Sequence, residues 1–173
     1  MATHLIIDGY NLLAVNVGLS GPMDSARDAL VRKLITYRQR KNHRITVVFD
    51  GWRQGQAIEG QEQRSGVQVI YSKRGEKADQ VIQRLARSLG AGCAVVSSDH
   101  EIVDTARAQG AFVISAREFL GKLDVPRWTS DPVIHKELDT GEDDRPERRK
   151  EKKGNPRKLP KSLRQRQRTL KRF

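Results

Sequence analysis

Three apolar runs end on carboxylates. Leu5-Ile6-Ile7 meets Asp8, the run "RITVVF" over 44–49 meets Asp50, and Cys93-Ala94-Val95-Val96 leads through Ser97 and Ser98 to Asp99. A fourth acid, Asp79, follows "SKRGEKA" at the start of a helical pattern. A buried run that stops on a charge is a strand leaving a core. Open α/β sheets bind their ligands outside those strand ends. Carboxylates gathered at one partly buried edge repel, and some take up protons unless a cation compensates them. A divalent ion is the economical compensation. Mg2+ takes oxygen ligands, keeps several waters, and is commonly held by one or two carboxylates plus substrate phosphate. Such an ion orients and acidifies a water and stabilises charge on a phosphodiester. Asn11 adds an amide able to hold a phosphate or a water on the ion. Ser97 and Ser98 add hydroxyls able to bind a carboxylate or a phosphate.

Each of these residues also has a plain structural use. Asp and Asn are common after strands because they form turns and cap helices. Asp99 suits a cap for a helix over 100–109, and Asp79 one for a helix over 80–89. Asn11 suits a turn, Glu101 a solvent-facing position, and Asp104 lies further into the helix after Asp99. The combination of strand-end acids in one sheet is what points to a site.

The elements that must position them are legible in the hydropathy pattern. Residues 3–7, 44–49, 67–71, 93–96 and 111–114 read as strands. Residues 24–41 read as a helix capped by Asp24 or Ser25, with Ala26, Leu30, Leu34 and Tyr37 on one face. Residues 78–89 and 99–109 read as helices. Ser115 and Glu118 stand at capping-box spacing for a last one, to about Leu123. A loop rich in Gly and Gln is expected between Asp50 and Val67. Strands alternating with helices predict a three-layer α/β/α domain over 1–125, with a mostly parallel sheet of about five strands. Right-handed crossovers bring the strand C-termini to one edge.

Charge divides the chain differently. The net charge is +12, of which residues 141–173 supply +9 and residues 1–140 only +3. Residues 152–173 hold ten Lys/Arg and no acid: Lys152, Lys153, Arg157, Lys158, Lys161, Arg164, Arg166, Arg168, Lys171 and Arg172. Residues 126–173 therefore read as a linker and a basic, disordered RNA-binding tail, with 162–172 able to become helical on a partner. Apart from Phe173 the tail has no aromatic after 140, so it offers phosphate affinity without a stacking platform. Nearer the acids, Lys73, Arg74 and Lys77 suit phosphate contacts or a solvated loop, and Arg27 and Arg53 are further candidates. Trp52 suits either a base stack or a lid over the sheet edge. Trp128 suits packing of the chain onto the domain.

Several classes are excluded. Cys93 is the single cysteine, so no internal disulfide forms, and its apolar run suits a buried thiol. The four histidines, His4, His43, His100 and His135, are scattered and show no zinc spacing. No signal peptide or membrane span is readable, and a cytoplasmic protein is expected. A haloacid-dehalogenase phosphatase wants a second Asp two residues after the first, where this chain has Tyr10. "DGYN" is not the glycine-rich turn of a dinucleotide-binding domain.

Five segments in order, "LIIDGYNLL", "VVFDG", "VQVIYSKRGEKADQVIQRL", "AVVSSDHEI" and "GAFVISAREFL", resemble the YacP-like branch of the NYN domains, in the PIN-like nuclease superfamily. The resemblance spans residues 3–123. It implies a PIN-like fold and a metal-dependent endoribonuclease using one or two Mg2+ or Mn2+ ions. The family's acidic site then maps onto Asp8, Asp79 and Asp99, with Asn11 and Asp50 as accessory members. By analogy, a link to mRNA and the ribosome is implied. The expected partner is RNA, messenger or ribosomal. The alternative is a non-catalytic RNA- or ribosome-binding module on the same fold. Oligomeric state is not readable.

Overall fold

The structure, a computed structural model, describes residues 3–16, 22–51, 59–124 and 160–173. It divides into two units, Met1–Asp124 together with Phe173, and Val125–Arg172.

The first unit contains six strands: β1 (His4–Asp8), β2 (Arg44–Phe49), β3 (Gly60–Arg64), β4 (Val67–Tyr71), β5 (Cys93–Val96) and β6 (Phe112–Ile114). Its helices are α1 (Gly9–Asn16), α2 (Met23–Lys41), α3 (Ala78–Leu89), α4 (His100–Ala108) and α5 (Ala116–Leu123). The sheet order is β3-β4-β2-β1-β5-β6, parallel throughout except for β3, which runs antiparallel to β4. All the apolar positions of β1, β2, β4 and β5 are buried. Continuous apolar strands need cover on both faces. On one face α3 and α4 bury Val81, Ile82 and Ile102 against Ile6, Val48 and Ile70. On the other, α1, α2 and α5 pack together and bury Leu30, Leu34, Tyr37 and Phe119. The three-layer α/β/α architecture is therefore as expected.

The winding sets the site. From β1 the chain builds outward through β2 and β4, then returns to place β5 on the other side of β1. The direction of winding reverses between β1 and β5. The crevice at such a reversal is where open α/β sheets take ligands.

Two elements add to the expected set. β3 lies in the expected loop; its sequence "GQEQR" has no apolar periodicity, and its backbone pairs as a hairpin with β4 through Ser65 (φ 47°) and Gly66 (φ 85°). Left-handed residues at both turn positions match the twist of a two-residue hairpin. Polar side chains suit this edge strand because they discourage pairing with another chain. The other addition, α1, has the sequence "GYNLLAVN", poor in strong helix formers, and is fixed by burial of Leu12 and Leu13.

Phe173 also departs from the expected tail. It is buried in the first unit, parallel to Phe112 at 5.7 Å between ring centroids and 5.3 Å from the His43 ring, and its backbone oxygen accepts from the Tyr37 hydroxyl at 2.6 Å. Burying so large an aromatic surface competes well with solvation of one basic chain end. In the second unit, α6 (Lys161–Leu170) is helical, and the spacing of Lys161, Arg164 and Arg168 puts them on one face. No helix among the described residues is long and apolar enough to cross a membrane.

Candidate active site at the β1–β5 crevice

Asp8 is the last residue of β1 and is 7% exposed. Its Oδ1 accepts from the Asn11 backbone N–H at 3.0 Å, and its Oδ2 accepts from the Ser97 hydroxyl at 3.2 Å. Burial pushes its carboxyl up to about 6. The two hydrogen bonds oppose that rise, and the charges of Asp79 and Asp50 add to it. The β1 strand thus delivers an acid into the sheet edge that gives up its proton at about 6, above the ordinary carboxylate range.

Asn11, in the first turn of α1, is oriented by its oxygen, which accepts from the Ser98 N–H at 3.0 Å. Its amide NH2 is left to donate. Ser97, fully buried after β5, links the two strand ends: its hydroxyl binds Asp8 and its oxygen accepts from the Asp99 N–H at 3.1 Å. The Ser98 hydroxyl oxygen accepts from the Ala116 N–H at 3.2 Å and so anchors α5. Asp99 is exposed and caps α4, accepting from the Glu101 N–H at 2.8 Å. Glu101 is exposed. Asp104 is exposed as well and lies 3.8 Å from Arg107, on the helix surface.

Asp79 does not cap α3; it lies inside the first turn, after Ala78. Burial raises its carboxyl, and the charges of Asp99 and Asp50 raise it further, while Lys77 opposes the shift. Across the crevice the charges of Asp79 and Asp50 thus reach Asp8, and those of Asp99 and Asp50 reach Asp79. The four acids do not form a tight cage: among the described residues, no three His, Cys, Asp or Glu side chains are gathered closely enough to hold a metal ion alone.

The basic candidates separate. Lys73, Arg74 and Lys77 are exposed on the loop before α3. Arg27 is buried; its guanidinium pairs with Asp24, donates to the Tyr10 hydroxyl at 3.5 Å and lies 5.7 Å from the centre of the Tyr71 ring. Beside it Arg64 pairs with Asp28 at 2.6 Å and Glu62 at 2.9 Å, so this neighbouring polar cleft is occupied by its own ion pairs. Trp52, Arg53, Trp128, Lys152, Lys153, Arg157 and Lys158 lie outside the described residues.

One site residue escaped the sequence reading. Ser72, fully buried just after β4, donates from its hydroxyl to Asp50 Oδ1 at 3.4 Å. The available signal was the one used elsewhere, a polar residue at the exit of an apolar strand.

Fold and crevice define a nuclease-like α/β/α domain, and the chain belongs to the YacP-like NYN domain family, whose sequence pattern matches residues 5–168. It is similar to the uncharacterized protein YacP of Bacillus subtilis strain 168, 32% identical over 127 residues that cover 69% of this chain and 74% of that protein. It is also similar to the crystal structure of Rae1 (YacP) from Bacillus subtilis, at 31% identity and a TM-score of 0.57, covering 69% of this chain and 72% of that one. A point mutant of Rae1 gives 30% identity and a TM-score of 0.58, covering 71% and 75%.

Proposed function

We propose that this chain is a metal-dependent endoribonuclease that cleaves single-stranded RNA, with messenger or ribosomal RNA as its partner. The observation that carries the proposal is the buried Asp8, whose proton affinity is raised by its burial and by the nearby Asp79 and Asp50 charges. A cation relieves that repulsion. Asp8, Asp79 and Asp99 would hold Mg2+ or Mn2+. The open spacing of the acids suits Mg2+, which is commonly held by one or two carboxylates, several waters and substrate phosphate. When bound, the ion supplies an acidified water and charge stabilisation for in-line attack on a phosphodiester.

The chain's own residues do the positioning. Ser97 and the Asn11 N–H orient both oxygens of Asp8. Asn11, with its oxygen held by Ser98, offers its NH2 to a phosphate oxygen. Exposed Lys73, Arg74 and Lys77 attract the RNA backbone near Asp79. The Lys161, Arg164 and Arg168 face of α6 adds sequence-independent phosphate affinity.

The absence of a three-carboxylate cage among the described residues favours a second candidate, a non-catalytic RNA-binding module. Incubating the full chain with single-stranded RNA in Mn2+, with and without EDTA, separates the two. Cleavage in Mn2+ that stops in EDTA is expected. Asp79→Asn is expected to fall to the EDTA level while melting as a folded domain. RNA binding without cleavage in any metal would leave the binding module.

A further inference from the structure

Asp50, at the exit of β2, is tied to two other pieces of chain at once. Its Oδ1 accepts from the Ala78 N–H at 2.6 Å and from the Ser72 hydroxyl at 3.4 Å. The Ser72 oxygen in turn accepts from the Gly51 N–H at 3.1 Å, and the Ser72 N–H donates to the Phe49 carbonyl at 3.0 Å. That last bond extends the β2–β4 ladder one residue beyond the Phe49–Tyr71 pair. Gly51 is required by the close approach: a Cβ there would lie 2.1 Å from the Ser72 carbonyl oxygen. The exits of β2 and β4 and the start of α3 are thus fastened at one carboxylate oxygen.

The fastening matters because of what comes next. Ala78 is the first residue of α3, so its N–H has no partner inside the helix. Asp79 is its neighbour in sequence. The loop that leads there, residues 73–77, is mostly exposed, and its Gly75 has a φ of 84°. Packing of Val81 and Ile82 sets the body of the helix, and the Asp50 bond fixes the first turn. A carboxylate oxygen has two lone pairs. On Oδ1 both face protein donors, Ala78 at 2.6 Å and, at the longer 3.4 Å, Ser72, which leaves only Oδ2 to reach a cation. The carboxylate charge also sits at the positive end of the α3 dipole, where it is stabilising.

We infer that Asp50 is a positioning residue rather than a metal ligand: through the Ala78 N–H it holds Asp79 toward Asp8, and Ser72 holds Asp50. The inference deepens the proposed nuclease function and rests on it for the role of Asp79. It separates Asp50 from Asp8, Asp79 and Asp99, with which its residue type and strand-end position would group it.

Asparagine and alanine at position 50 distinguish the two roles. Asp50→Asn keeps an oxygen able to accept from Ala78 and Ser72 but loses the charge; Asp50→Ala loses both. The full chain is titrated with Mn2+ by electron paramagnetic resonance, and the Ala78 and Asp79 amides are followed by NMR hydrogen exchange. Melting curves verify folding, and Ser72→Ala serves as a milder variant. Expected for Asp50→Ala is faster Ala78 exchange with Mn2+ affinity weakened about 10- to 100-fold, the usual cost of removing an outer partner of a metal site. Asp50→Asn is expected to keep Ala78 protection and to bind Mn2+ closer to wild type than to the alanine variant. Ser72→Ala is expected to fall between. Equal loss of Mn2+ affinity in the asparagine and alanine variants, with Ala78 exchange unchanged, would make Asp50 a ligand and overturn the inference. So would an alanine variant indistinguishable from wild type in both measurements. If the wild-type chain shows no Mn2+ affinity, the nuclease proposal fails by itself, and Ala78 exchange alone decides whether Asp50 positions the helix.

Discussion

Asp8→Asn is expected to abolish cleavage and yet to stabilise the metal-free domain at neutral pH. Asp8 is 7% exposed, and burial lifts its carboxyl from 3.8 to about 6. The unfolded chain returns the group to its ordinary value. A displacement of that size corresponds to about 3 kcal/mol, at about 1.4 kcal/mol per pH unit. Its sign follows from proton binding. Between 3.8 and about 6 the folded state holds more protons than the unfolded one, so stability falls as pH rises through this window. Below it the protonated acid costs nothing; above it the full penalty applies. Asparagine has nearly the same shape, keeps an oxygen for the Asn11 N–H, and carries no charge to desolvate. It loses the bond donated by the Ser97 hydroxyl to Oδ2, worth about 1 kcal/mol. The net expectation is a gain of about 1–2 kcal/mol near pH 7.5 in EDTA, vanishing or turning to a small loss near pH 4. Urea unfolding followed by circular dichroism across that range, for wild type and variant, measures it. A variant less stable at every pH, or a difference that does not change with pH, would refute the reasoning.

Three other perturbations test other parts of the molecule. Phe173→Ala removes a ring buried against Phe112 and His43, and is expected to cost about 3 kcal/mol in urea unfolding; no loss would detach residue 173 from the first unit. Replacing Lys161, Arg164 and Arg168 together by Gln is expected to weaken binding of single-stranded RNA and to flatten the logarithmic salt dependence by about 2, from roughly 0.7 per lost phosphate contact. Cys93 is buried, with its thiol raised by burial, so iodoacetamide should modify it much more slowly in the native chain than in urea.

The sequence spoke most clearly where burial imposed a period. Strands β2, β4 and β5 and helix α3 stand where their apolar patterns put them, and the Ser115–Glu118 capping box is formed. The elements that did not show are those decided by something other than local hydropathy. Polar β3 is held by backbone pairing to β4, and α1 by tertiary burial of two leucines. Phe173 gave no sign because its pocket is assembled from Tyr37, His43 and Phe112, which lie far apart along the chain. For the site, strand-end carboxylates were readable as types, but not as partners. That Ser97 bridges Asp8 to Asp99, or that Asp50 turns toward Ala78, depends on angles no spacing encodes. Arg27 shows the same limit: its charge suggested phosphate, while its place over Tyr71 and beside Asp24 uses that charge inside the domain.

The crevice sets two demands against each other. An acid must be buried enough to be held rigidly, and burial makes its charge costly. At Asp8 the fold meets the first demand with two hydrogen bonds and offsets only part of the second, because Asp79 and Asp50 add repulsion. The surrounding strands make that tolerable: β1, β2 and β5 are buried along nearly their whole length, so the sheet retains its packing whatever the charge state of one terminal residue. Marginally stable domains cannot carry several such penalties. This accounts for the gradation in the crevice, with Asp8 buried, Asp50 and Asp79 half-buried and Asp99 exposed. One acid is held at high cost at the strand end, and the others stand at positions where water still shares the charge. A cation bound beside Asp8, as proposed above, would stabilise this fold more than one whose acids all face solvent.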